Sequence, residues 1–418
     1  MSTSMFSPET FKRFGRLAGL DVEYFLKSGF SVSVRYAIVS LSGVVASIGF
    51  ARLGSKELLG QYQSVLALIG LVSVFSLPGM NMAAFKAVID GWDEGIIKAV
   101  KYSFFSSLFG LPVLFGYAAY QFYFLGHQEL AHSLMLGALF LPFFYAANTW
   151  YVYYEARSHF SAVSMRVILT SVLTTGALVG SLYFHASLFT IVGVYLFIGT
   201  LSNWFFFFQV RKRIIREKVK TSSLDIGYGL SVTAQKFVLS LTENLPALAI
   251  ASLFGFAPLA IFQIAYFVIN AVAGFLNGLS ATYLPLLFRA TALNYWKVLF
   301  QNLFLGVILF FILRLFLSIF FLPLYGIRYQ ESLVIANGLS FLVMLFPLKI
   351  FLSNFLTVKK KNFLLSAVFL MANALSLFVL YLTRNLTFSA SVCFYMYTLH
   401  FALLIPLLMF YMRLHLKK

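Results

Sequence analysis

The chain of 418 residues is 61% hydrophobic and only 11% charged, and carries a formal net charge of +18 at pH 7. Soluble proteins average about 45–50% apolar and 25% charged residues, so this composition excludes a water-soluble globule and points to an integral membrane protein. Runs such as GVILFFILRLFLSIFFLPL, residues 306–324, are apolar on every side. They exclude a β-barrel, whose strands alternate apolar and polar over about ten residues.

At the start of the chain, Ser7-Pro8-Glu9 reads as a helix start, with Ser7 as cap and Pro8 at the first position. Phe11, Phe14, Leu17 and Ala18 face away from Lys12, Arg13 and Arg16. Residues 1–28 are therefore expected to form an amphipathic segment on the inner membrane surface. The short apolar core and small-residue cleavage site of a removable signal peptide are not seen.

A helix needs about 20 mostly apolar residues to cross a bilayer. Twelve such stretches follow, over 29–51, 62–85, 102–124, 133–154, 161–183, 187–209, 227–253, 259–283, 302–324, 332–356, 363–382 and 388–412. Of the 31 Lys and Arg residues, 22 lie in alternate connections beginning with the N-terminus, and the intervening ones hold only Arg52, Lys56, Arg328 and Arg384. This positive-inside pattern places both termini in the cytoplasm and accounts for the charge without nucleic acid. The single cysteine, Cys393, says nothing of redox compartment.

The first span contains Arg35, near enough to its inner end for snorkelling to be an even alternative to an interior role. After it come Ala51-Arg52-Leu53-Gly54, Gly60 and Tyr62, a short outer connection leading into a span that ends near Pro78 and Asn81. This spacing resembles the start of the Wzx-type flippases of the multidrug/oligosaccharidyl-lipid/polysaccharide exporter superfamily. In letters the resemblance covers residues 35 to 90; the twelve-span layout extends it to the whole chain.

Farther on, Trp150, Tyr151, Tyr153 and Tyr154 cluster at one end of the fourth span and are expected to form an interfacial belt. Arg166 lies six residues from the inner end of the fifth and is expected to snorkel. The basic stretch 210–226, with Arg211, Lys212, Arg213, Arg216, Lys218 and Lys220, divides the chain into an N-terminal six-helix bundle over 29–209 and a C-terminal one over 227–412, before a basic tail, 413–418. At an offset of 200, Ala51, Leu53, Leu59, Tyr62 and Gln63 match Ala251, Leu253, Leu259, Phe262 and Gln263, and Ser40 matches Ser240. Two halves that both start from the cytoplasm form a parallel repeat, related by an axis along the membrane normal, with a site at their interface near the midplane.

The seventh span, 227–253, is the most polar. On a helix Thr233, Lys236, Ser240, Glu243 and Ala247 fall in one stripe, with Asn244 beside it. Asn270 and Asn277 make a polar stripe on the eighth, and Arg314 sits about twelve residues into the ninth. Lys349, close to the inner end of the tenth, is expected to snorkel, and His400 to be hydrogen-bonded packing in the twelfth. Lys236, Glu243 and Arg314 remain as deep charges, together costing about 9 kcal/mol in lipid at roughly 3 kcal/mol each. A hydrated cationic cavity between the halves removes most of that cost and attracts phosphate-like anions.

No Gly-Lys dipeptide occurs, so the phosphate-cradling GxxxxGK[ST] loop of an ATPase is missing. The six histidines have no convincing metal spacing, and no cofactor is implied. The resemblance implies an all-α, MATE-like fold and a non-enzymatic flippase of the bacterial inner membrane. Its substrate would be an undecaprenyl-pyrophosphate-linked oligosaccharide for O-antigen or another surface polysaccharide. On that basis Arg35, Lys236, Arg314, Asn81, Asn244, Asn270 and Asn277 are the candidate head-group contacts. Glu243 is the candidate for proton or sodium coupling, and a polymerase and chain-length regulator are candidate partners. Two alternatives stay open at this stage, a cation or drug exporter of the same superfamily and a polytopic polysaccharide polymerase or ligase.

Overall fold

In hydrocarbon no water satisfies a free backbone N–H or C=O, so apolar runs of this length close their hydrogen bonds internally as helices. A computed structural model describes residues 22–216, 224–289, 295–358 and 361–416, and these residues are helical almost throughout, with no strand. The amphipathic segment before Val22, linker residues 217–223 and the last two residues of the basic tail lie outside the described residues.

The first half comprises α1 (Val22–Leu53), α2 (Lys56–Val72), α3 (Met80–Ile89), α4 (Glu94–Ser107), α5 (Leu111–Tyr123), α6 (Gln128–Ala146), α7 (Trp150–Ala156), α8 (Phe160–Tyr183) and α9 (Leu188–Arg216). The second comprises α10 (Ile226–Phe254), α11 (Phe256–Arg289), α12 (Tyr295–Tyr325), α13 (Gln330–Val343), α14 (Phe346–Val358), α15 (Asn362–Thr383) and α16 (Phe388–Leu416). Eleven uninterrupted segments are long and apolar enough to cross a membrane, and a bent pair, Ile327–Val343 with Phe346–Thr357, makes a twelfth. The molecule thus has the expected twelve-span layout in two six-span bundles. Below, "inner" means the end that the charge pattern assigns to the cytoplasm.

Two spans are broken where proline dictates. Proline has no N–H and disfavours the α conformation in the residue before it. Ahead of Pro78 the second span passes through the turn Ser73–Ser76 to Leu77, in the left-handed region at φ 51°, before α3 resumes it. In the tenth span Pro347 stands at the second position of α14, and the axis bends by 50° across Met344 and Leu345.

The halves meet through α1 against α11, α2 against α10 and α11, and α3 against α10. Both serines of the matched pair lie where the halves cross. A Cβ on Gly274 would lie 2.6 Å from Ser40 Oγ, so glycine eases the approach of α11 to α1 there. Ser240 Oγ donates to the Gly70 carbonyl at 3.1 Å, joining α10 to α2.

The aromatic belt expected at Trp150, Tyr151, Tyr153 and Tyr154 requires correction. Trp150, Tyr153 and Tyr154 are 3–4% exposed and pack with Val163, Phe206 and Phe207 in a core of the first half. Trp150 Nε1 donates to Asn203 Oδ1 at 3.2 Å, a partner inside the protein where a belt residue would use water. Arg166 lies against the same core, donating to the Ala162 carbonyl at 2.8 Å with its guanidinium 4.6 Å from the Tyr154 ring.

Candidate functional site

The break at Pro78 exposes backbone groups that a continuous helix would have paired, and the stripe on α10 takes them up. Thr233 Oγ1 accepts from Gly79 N–H at 3.0 Å, and Lys236 Nζ donates to the Pro78 carbonyl at 3.0 Å. Two turns on, Asn244 Nδ2 donates to the Ser240 carbonyl at 2.9 Å and to its Oγ at 3.1 Å. Glycine at 70 and 79 makes the approach close enough. A Cβ on Gly79 would stand 2.1 Å from the Gly229 carbonyl oxygen, and one on Gly70 would stand 2.7 Å from Asn244 Oδ1. The polar stripe therefore faces the first half rather than lipid.

Beside Pro78 the first half contributes its own polar cluster. Asn81 Oδ1 accepts from Thr149 Oγ1 at 2.8 Å, and Asn81 Nδ2 donates to the Tyr151 hydroxyl at 3.3 Å. Tyr151 in turn is an electrostatic neighbour of Arg35 and Glu155. Those two form a half-buried ion pair at 3.1 Å, and the Arg35 guanidinium also lies 5.3 Å from the Tyr36 ring. The structure thus brings Arg35, Asn81 and Lys236 to one junction, through Tyr151 and the Pro78 turn. Arg35 is occupied by a partner inside the protein instead of reaching to the surface. Sequence reasoning missed Glu155 because the fourth span runs to Ala156, two residues beyond its expected end.

Glu243 lies two turns along α10 from Lys236 on the same stripe, and is accessible yet ringed by protein. Its charged neighbour is Lys349 of α14, with Tyr266 of α11 also in range. The expectation that Lys349 reaches the surface is corrected here. The bend at Met344 and Leu345 turns it inward, and its Nζ lies 5.2 Å from the Phe346 ring, which the His400 ring approaches from 5.3 Å. His400 is 6% exposed, and neither ring nitrogen has a hydrogen-bond partner among the described residues. The hydrogen-bonded packing expected of it is not observed.

Other candidates lie apart. Arg314 donates to Asn337 Oδ1 at 2.6 Å and sits between the Phe310 and Phe341 rings, at 5.7 and 5.5 Å, in the contact of α12 with α13. It does not join Lys236 or Arg35. Asn270 and Asn277 are exposed on α11 and flank Gly274, the contact point with α1.

At the outer end the halves are tied together at one junction. Arg52 Nε donates to the Leu324 carbonyl at 2.7 Å and its Nη2 to the Pro323 carbonyl, at the C-terminus of α12. Reciprocally, Arg328 Nη2 donates to the Gly54 carbonyl at 2.7 Å and to that of Ala51, at the C-terminus of α1. Cations at helix C-termini also meet the negative end of the helix dipole. Ser47 Oγ and the Tyr325 hydroxyl share a buried hydrogen bond of 2.9 Å, and Lys56 Nζ lies 5.6 Å from the Tyr329 ring. At Gly60 a Cβ would stand 1.9 Å from the Phe256 carbonyl oxygen, so α2 and α11 touch backbone to backbone. Three of the four basic residues in the outer connections converge on this junction.

Solved transporters share this fold. A multidrug resistance MATE family transporter of the MOP superfamily, in an inward-facing conformation, matches at 14% identity and a TM-score of 0.62, over 90% of this chain and 94% of its own. An outward-facing MATE family transporter matches at 11% and 0.60, over 93% and 95%. Lipid II flippase MurJ, in an inward closed conformation, matches at 14% and 0.52, over 90% and 86%. No curated protein sequence matches the chain. A family model described as "Polysaccharide biosynthesis protein" matches residues 50–289, more than half the length, and the chain belongs to that polysaccharide biosynthesis family.

Proposed function

We propose that the protein is a flippase that carries undecaprenyl-pyrophosphate-linked oligosaccharide repeat units from the cytoplasmic to the outer leaflet of a bacterial inner membrane. The units serve O-antigen or another surface polysaccharide, with both termini of the carrier in the cytoplasm. The observation that carries this reading is Lys236. An ammonium has three donors, and this one spends one on the Pro78 carbonyl at the crossing of the halves, leaving two for an anionic head group. Membership of a polysaccharide biosynthesis family and a fold shared with a lipid II flippase support it.

In this reading the pyrophosphate and sugars enter between the halves, and Arg35, Asn81, Lys236, Asn244, Asn270 and Asn277 serve them. Arg314, held by Asn337 and two phenylalanines, contributes to the field from farther off. The prenyl tail stays in lipid and slides through a gap between helices as the halves rock. Glu243 couples the motion to protons or sodium. A polymerase and a chain-length regulator receive the product. A cation exporter would place acids toward its substrate, whereas inside the spans read from the sequence five bases, Arg35, Arg166, Lys236, Arg314 and Lys349, stand against Glu243 alone.

The test is transport into vesicles. Reconstituted protein should move a fluorescent polyprenyl-pyrophosphate saccharide between leaflets, read by protection from a membrane-impermeant quencher. Lys236→Ala should abolish the movement while leaving the amount of inserted protein near normal. Equal movement by wild type and variant, or movement of a neutral polyprenyl saccharide at the same rate, would overturn the reading.

A further inference from the structure

Each half sets an acid against a base between its first and fourth spans, and the signs are exchanged. In the first half the base is on the first span, Arg35 of α1, and the acid on the fourth, Glu155 of α7. In the second half the acid is on the first span, Glu243 of α10, and the base on the fourth, Lys349 of α14. The pairs also differ in closure. Arg35 and Glu155 touch at 3.1 Å, with side chains only 14% and 23% exposed. Among the described residues no ion pair within 4 Å joins Glu243 to Lys349, although each is the other's charged neighbour.

The surroundings of Lys349 leave its charge under-compensated. It stands in the first turn after the 50° bend, its backbone N–H bonded to the Leu345 carbonyl at 2.9 Å across that bend. Its ammonium has the Phe346 ring at 5.2 Å and His400 beyond it. His400 keeps both ring nitrogens without a hydrogen-bond partner among the described residues, so hydrogen-bonding capacity stands beside Lys349. Buried polar groups are ordinarily satisfied, and an exception calls for an explanation.

We propose that Lys349 is the second half's contact for the anionic head group, and that Glu243 is the counter-charge that restrains it when the cavity is empty. The chemistry is a charge-assisted hydrogen bond from the ammonium to a pyrophosphate oxygen. Lysine suits a site that must pair and release, because it is a compact charge on a flexible stem, whereas arginine's fork favours a fixed bidentate partner. Arg35, closed on Glu155, is the fixed member of the set, and Lys349 the mobile one. The identity of the anion rests on the flippase reading; the contact itself does not.

The experiment measures binding to the purified full-length chain by thermal shift. The probes are a polyprenyl pyrophosphate, a polyprenol of equal length and inorganic pyrophosphate, and the variants are Lys349→Gln, Lys349→Arg, Glu243→Gln and Arg384→Gln. Arg384 lies in an outer connection with its guanidinium 4.3 Å from the Tyr381 ring, remote from the cluster, so its variant should bind as wild type does.

Lys349→Gln should weaken binding of the polyprenyl pyrophosphate about tenfold, a loss of one charge-assisted contact. Lys349→Arg should stay within about threefold. Glu243→Gln should tighten binding severalfold, because a competitor for the ammonium is gone; a purely structural pair would weaken it. Wild-type affinity in Lys349→Gln, or a loss in Glu243→Gln equal to that in Lys349→Gln, overturns the proposal. Should inorganic pyrophosphate protect wild type but not Lys349→Gln while the lipid adds nothing, the contact stands and the flippase reading falls. Wild type that binds polyprenol as tightly as its pyrophosphate overturns both.

Discussion

The outer junction and the mid-membrane stripe both place cations against the backbone of the opposite half, with opposite results. At the junction each guanidinium ends on two carbonyls, and the helices beneath it touch through Gly60 and Phe256. On α10 a single ammonium makes one such bond, and Glu243, two stripe positions further on, remains accessible. The first arrangement ties two helix ends to each other by paired bonds; the second leaves two of three ammonium donors for a ligand. A positive charge in a membrane protein is therefore best interpreted from what its bonds hold together.

The contrast can be broken most violently at Gly60. Gly60→Ala drives a Cβ into the Phe256 backbone, which no rotamer change relieves, and should cost about 3 kcal/mol as overpacking. Thermal unfolding of the purified protein checks this, and an unchanged midpoint would show that the outer ends are not in contact. Next in size, Arg328→Ala frees the α1 C-terminus and should raise labelling of a cysteine placed at Leu59 by an impermeant maleimide about tenfold, one charge-assisted bond's worth of closure. The same substitution at Arg384 should leave labelling as it was, and equal labelling in both variants would remove Arg328 from the junction. Ser240→Ala loses its bond to the Gly70 carbonyl and should lower stability by about 1 kcal/mol, sharpening the view that the stripe is lightly held. Smallest of all, Arg166→Leu should leave transport within about twofold, since its guanidinium contacts the inner core of the first half and not the crossing. Complete loss of transport would place it on the route.

Much of this was legible in the letters because the bilayer imposes length and helicity directly. The span from 388 to 412 is the same in sequence and structure, and both Ser40 and Ser240 lie where the halves cross. The period of the helix put Thr233, Lys236 and Ser240 on one face, and that face is the one bonded to the second span. Depth along a straight helix was the wrong measure for Lys349, because a bend one turn earlier redirects it. Glu155 escaped because span ends follow packing as well as hydropathy. The aromatics after Trp150 illustrate the same point: tyrosine at a span end suits an interface and a buried core equally, and only the neighbouring Phe206 and Phe207 decide. The motif that carried the family resemblance proved to be the outer junction itself. Arg52 is its donor, the Ala51 and Gly54 carbonyls its acceptors, Gly60 its closest approach, and Tyr62 stacks on Phe50 at 4.8 Å beneath it.

The two crossings at Ser40 with Gly274 and Ser240 with Gly70 bear on how such a carrier turns over. Small residues let the two bundles roll on one another with little side-chain resistance, so each crossing behaves as a bearing. A body resting on a pair of bearings tilts as a whole. In the rocking motion we propose, parting the bundles on one side of the membrane would bring them together on the other, with no continuous pore for protons or solutes.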